Sequence, residues 1–336
     1  MDYMKAVVVK SPGGPEQLEI VNLAVPKINT NQVLIKTIAA GVNRPDILQR
    51  RGLYNPPSDA SKILGLEISG EIVEIGDEVP ADLIGHKVFA LTHGGGYAEY
   101  CAVDYKHCIL IPPNLSFNEA ACIPETAFTV FYNLFMIGRL KEGDKVLIHG
   151  GSGGIGSTAI QMARLAGAGA IIATAGSDEK CEYCKNNGAD YAYNYRKESY
   201  FDKIKQLTIG IIDIVLDMLG GEFFEKNISL LDYSGRHLSI AYLTGKDVKL
   251  DLGRLMAKQI SVTGSTLRPQ SSAVKASIAD GVKKFLWSLI AEKKFKLRVD
   301  REFNLTDVKS AHELMESREH MGKICLTINQ TDGVRN

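Results

Sequence analysis

The clearest chemical signal in the sequence is a glycine-rich turn between a strand-like and a helix-like run. Lys145-Val-Leu-Ile-His149 is followed by Gly150-Gly151-Ser152-Gly153-Gly154-Ile155-Gly156 and then by an amphipathic stretch reaching Arg164. Gly151, Gly153 and Gly156 have the G-x-G-x-x-G spacing, in the strand–turn–helix setting that gives the pattern meaning. Glycine allows the tight turn, lets the backbone approach a pyrophosphate, and permits close helix–strand packing. The helix start then offers free N–H groups and a partial positive charge to phosphates, with Ser152, Gly154 and Ile155 completing the cradle. The same run also spells G-x-S-x-G, with Ser152 between Gly150 and Gly154, as in a nucleophile elbow. A hydrolase triad is available in the right chain order: Ser152, then Asp217 or Asp251, then His312 or His320. The elbow does not need Gly156, however, and a β-rich region stands where such a hydrolase has parallel strands. Dinucleotide binding is the favoured reading.

The residues after the loop bear on which dinucleotide. An NAD site usually places Asp or Glu about 20 residues on, to hold the ribose 2′-hydroxyl. Here the second strand ends Ala173-Thr174-Ala175-Gly176-Ser177, without a carboxylate. Lys180 stands one helical turn later and Tyr195 follows the next strand, so both are candidates to hold a 2′-phosphate. This arrangement favours NADPH, although Asp178 and Glu179 beside it oppose the choice if they turn toward the site.

The elements that position these residues change character along the chain. Residues 5–10, 32–39, 70–75, 87–91 and 97–103 are Val-, Ile- and Tyr-rich runs separated by turn signals, which predicts a partly open barrel or sandwich. Helices are expected at 118–123 and 126–137. Strands are expected at 145–149, 170–174, 191–194, 211–217, 236–241 and 259–265, with helical crossovers between most of them. This predicts an α/β fold containing a doubly wound, six-stranded parallel (Rossmann) sheet. A helix at 273–290, strands near 296–303 and 322–328 and a helix at 307–316 then return to the first domain. The expected domains are 1–125 plus 267–336, and 126–266.

Composition narrows the partners. The chain has 336 residues, suggesting about two domains, and its 39 Lys+Arg equal its 39 Asp+Glu. Zero net charge without a basic run gives no footprint for nucleic acid. No apolar run approaches the ~20 residues that span a bilayer, and the first ten residues do not resemble an export signal. Six cysteines are too few for a disulfide scaffold, so a cytoplasmic setting is expected. Cys181 and Cys184 have C-x-x-C spacing but no second pair, and are read as structural.

The segments GVNRPDILQRRGLYNPP (41–57), ILGLEISGEI (63–72), HGGSGGIGSTAIQMAR (149–164) and TAGSDEK (174–180) resemble the medium-chain dehydrogenase/reductase superfamily. The resemblance runs from about residue 4 to 328 and is closest to the zinc-independent, zeta-crystallin-like quinone oxidoreductase branch. It implies a Rossmann domain inserted into a β-rich, GroES-like catalytic domain. Zinc alcohol dehydrogenases of this superfamily carry a catalytic cysteine near the start of the first segment, where this chain has Asn43-Arg44-Pro45-Asp46, and G-H-E where it has Gly65-Leu66-Glu67. Leucine has no lone pair, so no metal is expected.

The resemblance implies an NADPH:quinone oxidoreductase, acting on a quinone or similarly activated carbonyl, that is a homodimer or higher oligomer. It puts Asn43 and Tyr54 beside the nicotinamide and the acceptor, with Asp46 supporting that corner. Tyr54 is either an acid toward the developing oxyanion or a gate. Thr129, Tyr242, Ser265 and Leu267 are further candidates to line the cofactor, and Lys323 either reaches it or is exposed. Two alternatives remain: an NADPH-dependent enone or enoyl thioester reductase, and a non-catalytic NADPH-binding sensor.

Overall fold

The computed structural model of the protein describes residues 2–207 and 212–329. Before residue 129 lie strands β1 (Tyr3–Val9), β2 (Leu18–Ala24), β3 (Gln32–Val42), β4 (Glu67–Ile75), β5 (Lys87–Leu91), β6 (Tyr100–Asp104) and β7 (Cys108–Leu110). Next come β8 (Lys145–Ile148), β9 (Ala170–Ala175), β10 (Tyr191–Asn194), β11 (Ile212–Asp217), β12 (Leu231–Ser239) and β13 (Ser261–Gly264). Strands β14 (Val299–Asn304) and β15 (Lys323–Thr327) follow. The chain divides into two compact units, one of residues 1–128 and 268–336 and the other of residues 129–267.

In the first unit the 11-residue β3 is the spine. One of its edges pairs along β4, while the other is shared between β6 near its start and β15 near its end, all antiparallel. The seven-stranded sheet has the order β14-β15-β3-β4-β5-β7, with β6 on β3, and β1–β2 form a separate hairpin. The core is the apolar face of this sheet, including Val33, Ile35, Ile68, Ile72 and Leu326. β2 and β7 lie outside the expected strands. Leu18-Glu-Ile-Val-Asn-Leu-Ala alternates only loosely, and its pairing with β1 supplies what its own pattern lacks. A short helix, α1 (Arg44–Arg50), also lies outside the expected elements. Its signals are Pro45 in the first turn and Asp46, whose carboxylate accepts from the Asn43 backbone N–H at 2.9 Å.

The second unit has six parallel strands in the order β10-β9-β8-β11-β12-β13. Each neighbouring pair is parallel. β8, β9 and β11 are nearly continuous buried runs, as strands covered on both faces must be. The chain starts at the centre, winds out to β10 and returns to the other side of β8, so the order reverses between β8 and β11. Ligands of such sheets bind beyond the carboxyl ends at this switch point, where the glycine turn lies.

Several boundaries differ from expectation for visible reasons. The sixth strand begins at Ser261 rather than 259 because Gln259 is left-handed (φ 51°). β12 starts at Leu231 rather than 236, with a register shift against β11 and a left-handed Ser234. The helix expected at 126–137 is instead two elements, α3 (Pro124–Val130) and a π-helical run (Phe131–Ile137), after the short α2 (Phe117–Ala121). Its last turn is widened, the Gly138 N–H donating to the Asn133 carbonyl five residues back. Residue 211 of the expected fourth strand and residues 330–336 of the expected first domain lie outside the described residues.

Candidate active site

Strand β8 ends at Ile148, and the side chain of His149 anchors the turn that follows. It is fully buried, with Nδ1 2.9 Å from Thr174 Oγ1 and Nε2 2.9 Å from Asn227 Oδ1. Burial pulls its pKa down despite nearby Asp217, so it is neutral here. Gly150 is left-handed (φ 62°). A Cβ on Gly156 would lie 2.2 Å from the Gly150 carbonyl oxygen, and one on Gly151 would strike Ala173 Cβ and Cys184 Sγ, both at 2.8 Å. Cys184 is thus packing beneath the loop, and among the described residues all six cysteines are free.

Gly153 is different, since a Cβ there would meet only the Gly150 oxygen at 3.7 Å. It caps helix α4 (Gly154–Leu165), whose first turn carries no acidic residue. The first N–H groups of a helix lack intrahelical acceptors. Gly151 to Gly156, with Ser152 buried among them, therefore form a backbone cradle that fits a pyrophosphate.

Beyond β9, Gly176 packs under Tyr195, and a Cβ there would be 2.8 Å from the phenolic oxygen and 3.5 Å from Arg196 Nε. Ser177 caps helix α5 (Asp178–Asn186), its hydroxyl accepting from the Lys180 N–H at 3.2 Å. Asp178, the carboxylate that could have opposed a phosphate, accepts from Asn194 Nδ2 at 2.7 Å and pairs with Lys197. Gly176, Ser177, Lys180 and Tyr195 thus share one strand end. Arg196 joins them and was missed in the sequence, although it directly follows Tyr195.

Thr129 and Ser265 are linked through Asn133, another residue missed in the sequence. Its amide donates to the Thr129 carbonyl at 2.9 Å, and its oxygen accepts from the Ser265 hydroxyl at 2.7 Å. Tyr242 is exposed and Leu267 buried.

The first unit holds a closed lattice of buried polar groups around Asn43. Its Nδ2 donates to Glu67 Oε1 at 2.8 Å, and its Oδ1 accepts from Lys323 Nζ at 2.5 Å. The same ammonium donates to the Val42 carbonyl and lies 2.7 Å from Glu67 Oε1. The other Glu67 oxygen accepts from the Glu125 backbone N–H at 2.8 Å. Gly41 is required here, because a Cβ would fall 2.0 Å from Glu67 Oε1. Lys323 is only 2% exposed, which corrects the alternative of an exposed lysine. Burial lowers its pKa, but Glu67, Cys122 and Glu125 together more than reverse this and the net shift is upward. Asn43 keeps one N–H and one lone pair uncommitted by these bonds.

Asp46 lies beneath, accepting from the N–H groups of Asn43 and Gly65 and from the Tyr97 hydroxyl. Burial raises its pKa to about 6 against these hydrogen bonds. It is a positioning residue, holding the start of α1 and the Gly65 turn. Tyr54 is partly exposed, with the Arg268 guanidinium 5.7 Å from its ring centroid. Its pKa is raised by burial, with Arg268 opposing and Glu125 adding to the rise. Glu125, missed in the sequence, has a pKa raised to about 8 by burial and by neighbouring Glu67.

Zinc does not fit this corner. Leu66 offers no donor, and the Glu67 carboxylate is occupied by Asn43, Lys323 and a backbone N–H. Among the described residues no group of three or more His, Cys, Asp or Glu side chains is arranged to hold a metal. Two candidates for a hydrolase triad are engaged elsewhere: Asp217 pairs with His237 at 3.2 Å, and His312 is buried against Arg50 and Tyr97.

Known proteins are similar to this chain in sequence and fold. Residues 29–113 match the alcohol dehydrogenase GroES-like domain, and residues 154–280 match the zinc-binding dehydrogenase domain. The Mus musculus quinone oxidoreductase is 31% identical over 332 residues, covering 97% of this chain and 98% of that protein. The chain belongs to the medium-chain dehydrogenase/reductase superfamily, in its quinone oxidoreductase branch. Escherichia coli quinone oxidoreductase complexed with NADPH superimposes with a TM-score of 0.84 at 27% identity, covering 97% and 99% of the two chains. CurK enoyl reductase gives a TM-score of 0.85 at 25% identity, covering 98% and 100%. A phenolphthiocerol/phthiocerol polyketide synthase of Mycobacterium tuberculosis is 32% identical over 96% of this chain, which spans 15% of that protein's length. The protein is therefore an oxidoreductase of this superfamily. Among the described residues no helix is long and apolar enough to cross a membrane.

Proposed function

We propose that the protein is a zinc-independent NADPH:quinone oxidoreductase that acts on a quinone or a similarly activated carbonyl. The observation that carries this reading is the pair of ligand environments. One is a glycine cradle beside which β9 ends in Gly176 and Ser177, with Lys180 on α5, Tyr195 and Arg196 after β10, and Asp178 turned to Lys197. The other is a corner whose polar groups close on one another and leave no donor set for a Lewis-acid metal. Without such a metal, the acceptor carbonyl must be polarised by hydrogen bonds or be electron-poor already. A quinone meets the second condition, since its reduction yields an aromatic hydroquinone.

NADPH, when bound, supplies the two electrons as a hydride equivalent, and the reduced acceptor takes up one proton. The chain's own residues bind, orient and exclude water. Gly151 to Gly156 hold the pyrophosphate, while Lys180, Tyr195 and Arg196 hold the 2′-phosphate. Thr129, Ser265, Tyr242 and Leu267 flank the rest of the dinucleotide. The resemblance assigns Asn43 to the reacting end, and Glu67 and Lys323 fix the plane of its amide. Tyr54 is held protonated at neutral pH and can donate a hydrogen bond to the acceptor oxygen while narrowing the pocket. The exposed edge of β13 is the surface for a second copy, to be tested by light scattering, and a cytoplasmic setting completes the reading.

The likeness to CurK enoyl reductase supports a second reading, reduction of an enone or enoyl thioester with Tyr54 as proton donor. Turnover of NADPH with a quinone panel, alkenals and crotonyl-CoA separates the two. A quinone is expected to exceed crotonyl-CoA in kcat/KM by about tenfold or more. The reverse order would establish the enoyl reductase, and tight NADPH binding without turnover of any acceptor would favour a sensor.

A further inference from the structure

Arg268 is 6% exposed, yet its guanidinium is only partly satisfied. Nη1 donates to Gln49 Oε1 at 2.6 Å. Nε and Nη2 are buried with no hydrogen-bond partner among the described residues. These two atoms form one edge of the guanidinium, two parallel N–H groups in the fork that matches a carboxylate bidentately. Leaving such donors empty is costly, so a buried pair of them calls for a partner, whether a water, an ion or a ligand.

The surroundings hold that edge in place. The Lys275 ammonium, itself buried, donates to the Arg268 carbonyl at 2.7 Å and fixes the backbone. The Tyr54 ring stands 5.7 Å from the guanidinium carbon. A Cβ at Gly94 would lie 2.6 Å from the Ser61 carbonyl oxygen and 3.2 Å from Nη2, so glycine at that left-handed position (φ 103°) lets the chain pack close to the guanidinium. The nearby carboxyls do not serve as counter-ions. Asp46 spends its oxygens on Asn43, Gly65 and Tyr97. Burial keeps Glu125 largely protonated at neutral pH. Among the described residues neither forms an ion pair with Arg268, and Lys275 adds a second positive charge beside it.

We propose that the Nε–Nη2 edge of Arg268 is an acceptor-binding subsite that takes a carboxylate, so that the preferred acceptors are quinones or enones carrying one. This rests on the oxidoreductase reading above and names its substrate class. Tyr54 supplies an aromatic wall beside the fork, which suits a carboxylate attached directly to a ring.

The test uses redox-inert probes without cofactor, so that it stands apart from any question of turnover. Calorimetric titration of the intact protein with 2-naphthoate and 2-naphthamide should show the carboxylate binding about tenfold tighter or better. R268Q should abolish that preference, and R268K, which keeps the charge but loses the planar edge, should retain only part of it. Thermal melts of each variant check folding, and the naphthoate-to-naphthamide ratio in the unmutated protein needs no variant at all. Equal affinities for the two probes, or a preference that survives R268Q, would overturn the proposal. So would a naphthoate site displaced by NADP+ together with an equal loss of NADP+ affinity in R268Q, because the fork would then belong to the dinucleotide. Quinone turnover is measured separately, so failure of the oxidoreductase reading would leave the binding result intact and identifiable.

Discussion

The two units treat their polar groups in opposite ways. In the glycine-loop unit side chains are removed so that backbone N–H groups at the start of α4 face a ligand. In the β-rich unit, the polar and charged side chains of Asn43, Glu67 and Lys323 are brought inside and satisfied by one another. The first arrangement gains its specificity from space, and a single added carbon destroys it. The second gains rigidity from charge compensation, and deleting one partner leaves the other buried and unpaired. An enzyme that holds a large cofactor and a small acceptor benefits from both.

The largest expected effect falls on the compensated lattice. Lys323→Met leaves the Glu67 carboxylate uncompensated and should cost about 3–5 kcal/mol in denaturant unfolding. The double variant Lys323→Met/Glu67→Gln should recover much of that loss. A double variant as unstable as the sum of the singles would show that the pair is not a coupled unit.

Gly156→Val tests the spatial arrangement. Its side chain would collide with the Gly150 carbonyl, and NADPH affinity should fall about a hundredfold, equivalent to nearly 3 kcal/mol. Unchanged affinity in a fluorescence titration would remove the loop from the cofactor site.

A third test uses pH. Glu125 has its folded pKa raised from 4.5 to about 8, so the folded state holds its proton more tightly than the unfolded state does. Its contribution is complete below the unfolded pKa and is lost as pH rises toward 8. Stability should fall by on the order of 2 kcal/mol between pH 5 and 8. Asp46, raised to about 6, contributes in the same direction over the lower part of that range. Glu125→Gln should flatten the profile above pH 6, and an unchanged slope would assign it to another group.

Smaller effects belong to the strand end after β9. Lys180→Ala, or Arg196→Ala, should each reduce the preference for NADPH over NADH by about tenfold, near 1.4 kcal/mol. Equal affinities for the two dinucleotides in the unmutated protein would contradict the assignment outright. Ser177→Ala removes the α5 cap and should cost about 1 kcal/mol in thermal unfolding.

The same contrast explains what can be read from the sequence. The glycine loop is local, with its turn, strand and helix contiguous, and spacing alone locates it. The parallel strands are legible because buried runs such as Ile-Asp-Ile-Val-Leu-Asp need no partner to be recognised. The lattice is not legible, since Asn43 meets Glu67 24 residues away and Lys323 280 residues away. The sequence therefore leaves Lys323 open between an exposed and a cofactor-facing lysine. Glu125, Arg196 and Asn133 escape for the same reason, as each acquires its chemical setting from elements distant in sequence. Boundaries fail where the backbone breaks pattern, at the left-handed Gln259 and Ser234 and at the π-helical run.

The most direct measurement is anaerobic mixing of the chelator-treated protein–NADPH complex with 1,4-naphthoquinone, following nicotinamide absorbance and the hydroquinone formed. The account predicts stoichiometric loss of NADPH and appearance of hydroquinone, unaffected by removal of metal. NADPH that remains bound and unoxidised by this and every other quinone, or oxidation that returns only on adding zinc, would contradict it.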